Sequence, residues 1–161
     1  MDPVRKEIVV EAPVERAFRV FTERFDAWWP RDHHILQAPL AKAVMESGVG
    51  GRWYEVGTDG SQCDWGKVLV WDPPKRLVLA WQLNGDWDYD PALVTELELR
   101  FTPVGDMKTR VELEHRHLER IGEKAVATRA ALDSGAGWIT HLTLFAKEAA
   151  PPSVPASPRS D

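Results

Sequence analysis

The sequence predicts an α+β fold: a curved antiparallel sheet of about seven strands wrapped around a long C-terminal helix, with two short helices after strand one. Three observations predict it. Strand-like segments separated by turn residues fill most of residues 40–118. The last two of them alternate apolar and polar side chains, as a sheet with one buried face does. Residues 123–149 then change to a helical texture with an apolar stripe. A sheet with one apolar face needs a cover, and that helix is the one element large enough to provide it.

Residues 4–10 read as the first strand, ending on Ile8, Val9 and Val10. Pro13 suits the first position of a helix, where its missing N–H costs nothing. Val14, Ala17, Phe18, Phe21 and Phe25 then mark one helical face. A second helical piece over Asp26–Trp29 stops at Pro30, and residues 31–39 read as a loop. Strands follow at 41–46, 52–56, 61–71 and 76–83. They are punctuated by the Gly48, Gly50, Gly51 cluster, the Thr58-Asp59-Gly60-Ser61 turn, the Asp72-Pro73-Pro74-Lys75 corner and the Asn84-Gly85-Asp86 turn. Next, Leu93, Thr95, Leu97, Leu99 and Phe101 share one face, and after a turn at Gly105-Asp106 so do Val111, Leu113, His115 and His117. In the final helix Trp138, Leu142 and Phe145 form the stripe, while Gly135 and Gly137 each weaken it by about 1 kcal/mol and mark either close packing or a kink. The expected organisation is one domain over 1–149 and a disordered, proline- and serine-rich tail over 150–161.

A formal net charge of −5 argues against a nucleic-acid binder that works by neutralising phosphates. One cysteine, Cys63, excludes an intramolecular disulfide and a cysteine-based zinc site. The charged N-terminus is neither a signal peptide nor a membrane span, so the expectation is a cytoplasmic protein without membrane or nucleic-acid partners.

The ordered set Gly50-Gly51-Arg52-Trp53, Asp59-Gly60, Gly66-Lys67-Val68, and Pro73-Pro74-Lys75-Arg76-Leu77-Val78 with Trp81, followed by Trp138 and Leu142, resembles a known family. It is the family homologous to the C-terminal domain of the activator of the heat-shock-protein-90 ATPase, within the START-like (SRPBCC) group, and the likeness runs from about Val4 to Lys147. The resemblance implies a helix-grip fold with a cavity between sheet and long helix, in which members of the wider group bind hydrophobic small molecules and a few act as cyclases or hydratases. The eukaryotic activators carry a further N-terminal domain. This chain starts at the first strand, so ligand binding is expected ahead of chaperone activation.

Candidate chemistry is sparse. His115 and His117 share a face and a spacing that suits two metal ligands, but the local sequence offers no third. Hydrogen-bonded core or rim histidines fit better, and no metal or cofactor is expected. His33-His34 reads either as a surface pair or as a polar gate at a pocket mouth. Glu96, Glu98, Glu112 and Glu114 occupy the polar phase of two neighbouring strands, where they are expected to face solvent and pair with Arg100, Arg110 or Arg116. Cys63 has no histidine partner nearby, the serines lack a nucleophile elbow, and no phosphate-binding glycine loop leads into a helix, so no catalytic residue is assigned.

The eight tryptophans are the strongest signal. Trp53, Cys63, Trp65, Leu69, Trp71, Leu79 and Trp81 all stand at odd positions and, if their phases agree, line one apolar face opposite Trp138 and Phe145. That face is either a solid core or the wall of a ligand cavity. The expected cavity lining is Trp53, Trp65, Leu69, Trp71, Leu79, Trp81, Leu97, Leu99, His115, Trp138, Leu142 and Phe145. The partners left open are a small hydrophobic or aromatic molecule, a chaperone, and a second copy of the chain. An enzyme of cyclase or hydrolase type is a third reading.

Overall fold

The computed structural model describes residues 1–152; most of the expected tail lies outside them. The elements are β1 (Val4–Val10), α1 (Val14–Thr22), α2 (Phe25–Trp28), β2 (Leu40–Met45), β3 (Arg52–Gly57), β4 (Gln62–Asp72), β5 (Arg76–Trp81), β6 (Thr95–Gly105), β7 (Lys108–Arg116), a 3-10 turn (Leu118–Ile121), α3 (Ala125–Asp133) and α4 (Trp138–Ala149). One antiparallel sheet of seven strands runs β1-β7-β6-β5-β4-β3-β2, so β1 and β2 are its edges. The inner face carries the core, and α1, α2 and α4 cover it.

The alternation read from β6 and β7 holds: Leu97, Leu99, Phe101, Val111, Leu113 and His115 are all buried. The polar phase differs in one respect. Glu98 is nearly inaccessible because Arg76, Arg100 and Arg116 roof it, at 2.8, 2.5 and 2.5 Å. Burial would raise its carboxyl, but the three guanidinium hydrogen bonds outweigh that and hold it down at about 2.

Two irregularities position the site. Strand β4 carries a bulge against β3 between the pairs Trp53–Gly66 and Tyr54–Asp64, and another against β5 between Val68–Leu79 and Val70–Val78. Each bulge advances the inward phase by one residue. It passes from Cys63, opposite buried Glu55, to Gly66 and Val68, and then to Trp71. Leu69 therefore falls in the second bulge, half-buried and outside the core cluster, rather than on the expected inward face.

The C-terminal helical stretch is interrupted at residues 134–137. The break needs glycine at 137: a Cβ there would lie 2.1 Å from the Leu132 carbonyl oxygen. Gly137 thus answers both alternatives, close packing and a change of direction.

The β2 edge is tied down by α2. The Asp26 carboxylate accepts the Ala43 N–H at 2.8 Å and also pairs with Arg31. No described helix is long and apolar enough to cross a membrane.

Candidate functional site

A cavity of about 350 Å³ lies at one end of the inner face, where the loop over residues 31–35, the turn at 83–87 and the α3–α4 break converge. Its size falls toward the low end of ligand pockets, roughly 300–1,000 Å³. Trp29, Trp65, Trp81, Trp87 and Trp138 wall it, with Leu83, Ile35 and Leu132 filling gaps between indoles. Trp81 and Trp138 meet nearly edge to face at 5.3 Å, and Trp29 and Trp65 tilt together at 5.0 Å. Such walls present both ring faces and ring edges to the cavity.

Of the residues expected to line a cavity, the structure brings Trp65, Trp81 and Trp138 to it. Trp53 stands one layer behind, 5.6 and 5.7 Å from the rings of Trp65 and Trp81. Leu79, Leu97, Leu99, Leu142 and Phe145 are core residues, and Trp71 packs on Phe18 at the opposite end of the sheet.

His115 is also behind the wall, in a closed chain of hydrogen bonds. The Trp138 Nε1–H donates to His115 Nδ1 at 3.1 Å, which leaves Nε2–H to donate to Thr95 Oγ1 at 2.8 Å. Thr95 in turn donates to the Trp81 carbonyl at 3.0 Å. Burial pushes the His115 pKa down to about 3, so the ring is neutral and both of its nitrogens have a partner. It fixes the two indole-bearing segments rather than meeting a guest. His117 leaves the strand in a left-handed conformation, φ 65°, and lies near Glu96 and Glu119 at the rim.

The polar side of the cavity comes from elsewhere. His141 Nδ1–H donates to the Gly137 carbonyl at 2.9 Å, which also accepts the Thr140 N–H at 3.0 Å, and its Nε2 stands 2.8 Å from His33 Nδ1. His33 Nε2 lies 4.0 Å from Asp32 Oδ1, and His34 bonds to the Leu36 carbonyl. Burial lowers His141 to about 4; the hydrogen bond to Gly137 opposes the shift and the charge of His33 adds to it. This loop is held by Glu55, fully buried on β3. Its carboxylate accepts the N–H groups of Ile35 and Leu36 at 2.5 and 3.4 Å and the Trp65 Nε1–H at 2.9 Å. The Trp29 Nε1–H donates to the His33 carbonyl at 2.8 Å. His33 and His34 both line the cavity, and the pairing of His33 with His141 across 108 residues leaves no local signal in the sequence.

Trp87 sits at the mouth, 41% exposed, in a turn folded by the Asn84 side chain, which accepts the N–H groups of Asp86 and Asp88 at 2.9 and 3.0 Å. Its φ of 63° is strained for a residue with a bulky side chain. Burial, reinforced by Glu55 and neighbouring carboxylates, pushes the Cys63 thiol up to about 11.

Residues 11–150 match the family described as activator of Hsp90 ATPase homolog 1-like protein. No curated protein matches the sequence. Among solved structures, an anthrahydroquino-gamma-pyrone synthase, Txn09, is 41% identical with a TM-score of 0.66, over 92% of this chain and 97% of that one. The self-sacrificing resistance protein CalC from Micromonospora echinospora is 36% identical with a TM-score of 0.67, over 92% and 94%. An Hsp90 activator from Plasmodium falciparum, 18% identical with a TM-score of 0.51 over 72% and 73%, shares the fold.

Proposed function

The chain belongs to the activator of Hsp90 ATPase homolog 1-like family of START-like proteins, and from that premise we propose that it holds a planar aromatic small molecule in the tryptophan-walled cavity. The observation that carries this reading is the convergence of five indoles around about 350 Å³ of space with a histidine edge on one side. A guest burying about 300 Å² of apolar surface gains roughly 7 kcal/mol before association costs, and stacking on the indoles adds about 0.5–1.5 kcal/mol per aromatic pair. The name of the 41% identical synthase supports a fused-ring, oxygenated guest.

The test is native mass spectrometry of the purified protein, followed by tryptophan-fluorescence titration with anthraquinones and, for contrast, a fatty acid. Saturable quenching by the flat aromatics at micromolar concentration supports the reading. No quench and no co-purified mass would overturn it. A chaperone partner rests on the family alone, and an ATPase assay with the ninety-kilodalton chaperone showing no stimulation would remove it.

A further inference from the structure

The polar edge of the cavity is built as a proton acceptor. The Gly137 carbonyl holds His141 in the tautomer that carries its proton on Nδ1 and presents a lone pair on Nε2. His33 answers with Nδ1–H, 2.8 Å away, so in its neutral form the lone pair of His33 sits on Nε2. That nitrogen lies 4.0 Å from the Asp32 carboxylate, too far for a direct hydrogen bond, and Asp32 and His33 both line the cavity. The loop that carries His33 is held from beneath by Glu55 and from the side by the Trp29 indole, so the ring is placed before any guest arrives.

We propose that His33 is a general base, with His141 as its positioning residue, that removes the proton from a phenolic or hydroquinone hydroxyl of the aromatic molecule bound in the cavity. In this step the O–H bond breaks, its proton forms a new bond to His33 Nε2, and the electron pair stays on oxygen. The imidazolium so formed lies between the Asp32 carboxylate, 4.0 Å from Nε2, and His141, whose Nε2 accepts the Nδ1–H at 2.8 Å. The aryl oxide left behind is a much stronger nucleophile than the phenol. The other titratable groups nearby are His34, on the same loop and bonded to the Leu36 carbonyl, and Glu55 from β3, bonded to the loop amides.

This inference rests on the aromatic-binding reading, and two probes of one shape separate them: 2-hydroxyanthraquinone and 2-methylanthraquinone. Tryptophan quenching reports binding, and the visible absorbance of the hydroxyl probe reports its ionisation across pH. Both probes are expected to bind. The bound hydroxyl probe is expected to ionise at least about one pH unit below the free one, a tenfold shift toward phenolate. His33→Gln is expected to abolish that shift while changing the affinity for the methyl probe less than about twofold. His141→Ala should shrink the shift, and His34→Gln should leave it intact. A hydroxyl probe that binds but titrates like the free dye would overturn the base while sparing the binding reading. A shift that survives His33→Gln, or an equal loss of both probes in that variant, would also overturn it. Failure of both probes to bind would remove the cavity reading and this proposal together.

Discussion

At the α1 end of the inner face, Phe18, Phe21, Trp71, Phe101 and Phe145 meet edge to face at ring separations of 5.2 to 6.0 Å and fill the space between sheet and helices. At the opposite end, Trp29, Trp65, Trp81 and Trp138 touch at similar distances, yet surround a cavity. Aromatic content therefore does not decide which half is hollow. The cover does. Over the filled half, α1 and α4 present regular helical faces whose phenylalanines interdigitate with the sheet. Over the hollow half the cover is irregular backbone, residues 31–36 and 134–137, which has few apolar side chains to send inward. That backbone has polar groups that must be satisfied. Glu55 and Trp29 satisfy them in residues 33–36, and the loop so held brings His33 to an apolar cavity.

The largest expected difference between the halves is in stability. Phe145→Ala should cost about 3–5 kcal/mol by urea unfolding, because the filled half cannot collapse around the void. A loss under about 1 kcal/mol would mean that this half is looser than its ring contacts imply.

Glu55→Gln comes next. It turns an amide N–H₂ toward backbone and indole N–H groups and should cost about 1.5–3 kcal/mol. Hydrogen exchange at Ile35 and Leu36 should quicken while amides of β6 stay protected in proportion to global stability; uniform change would count against a local latch.

The third difference appears with pH. His115 and His141 are held near 3 and 4 in the folded chain, whereas an unfolded histidine takes up its proton near pH 6.5. Between those limits the unfolded state binds more protons. Stability is therefore full above about pH 6.5 and falls as pH drops toward 4, by up to about 1.4 kcal/mol per pH unit for each histidine. Denaturation at about pH 7.5 and about pH 5 measures the slope, and His141→Gln should remove one histidine's share.

The smallest effect is at the mouth. Trp87→Ala should move stability by no more than about 0.5 kcal/mol, yet weaken an aromatic probe about two- to tenfold if Trp87 stacks on it.

Much of this fold was legible in the sequence because period-two alternation in β6 and β7, proline corners and glycine turns act locally. The indoles Trp65, Trp81 and Trp138 were legible as a set for the same reason. Leu69 was misplaced because a bulge is one extra residue with no signature of its own, and two of them in β4 each advance the phase by one residue. The long C-terminal helical stretch is interrupted at residues 134–137, where the sequence left close packing and a kink both open at Gly135 and Gly137. Trp29, Trp87 and the His33–His141 pair depend on loops closing over distance, which neither spacing nor composition encodes.

The Asp26–Ala43 hydrogen bond has a consequence for the protein in a crowded solution. An open, curved sheet ends in two rows of strand backbone, and such rows invite a second molecule to dock as an extra strand and seed aggregation. On β2 a carboxylate already occupies the amide that a newcomer would need, and on β1 the run Arg5-Lys6-Glu7 sets charges along the rim. The molecule can thus keep its sheet unclosed, and its interior reachable by a guest, while its margins stay unattractive to its own copies.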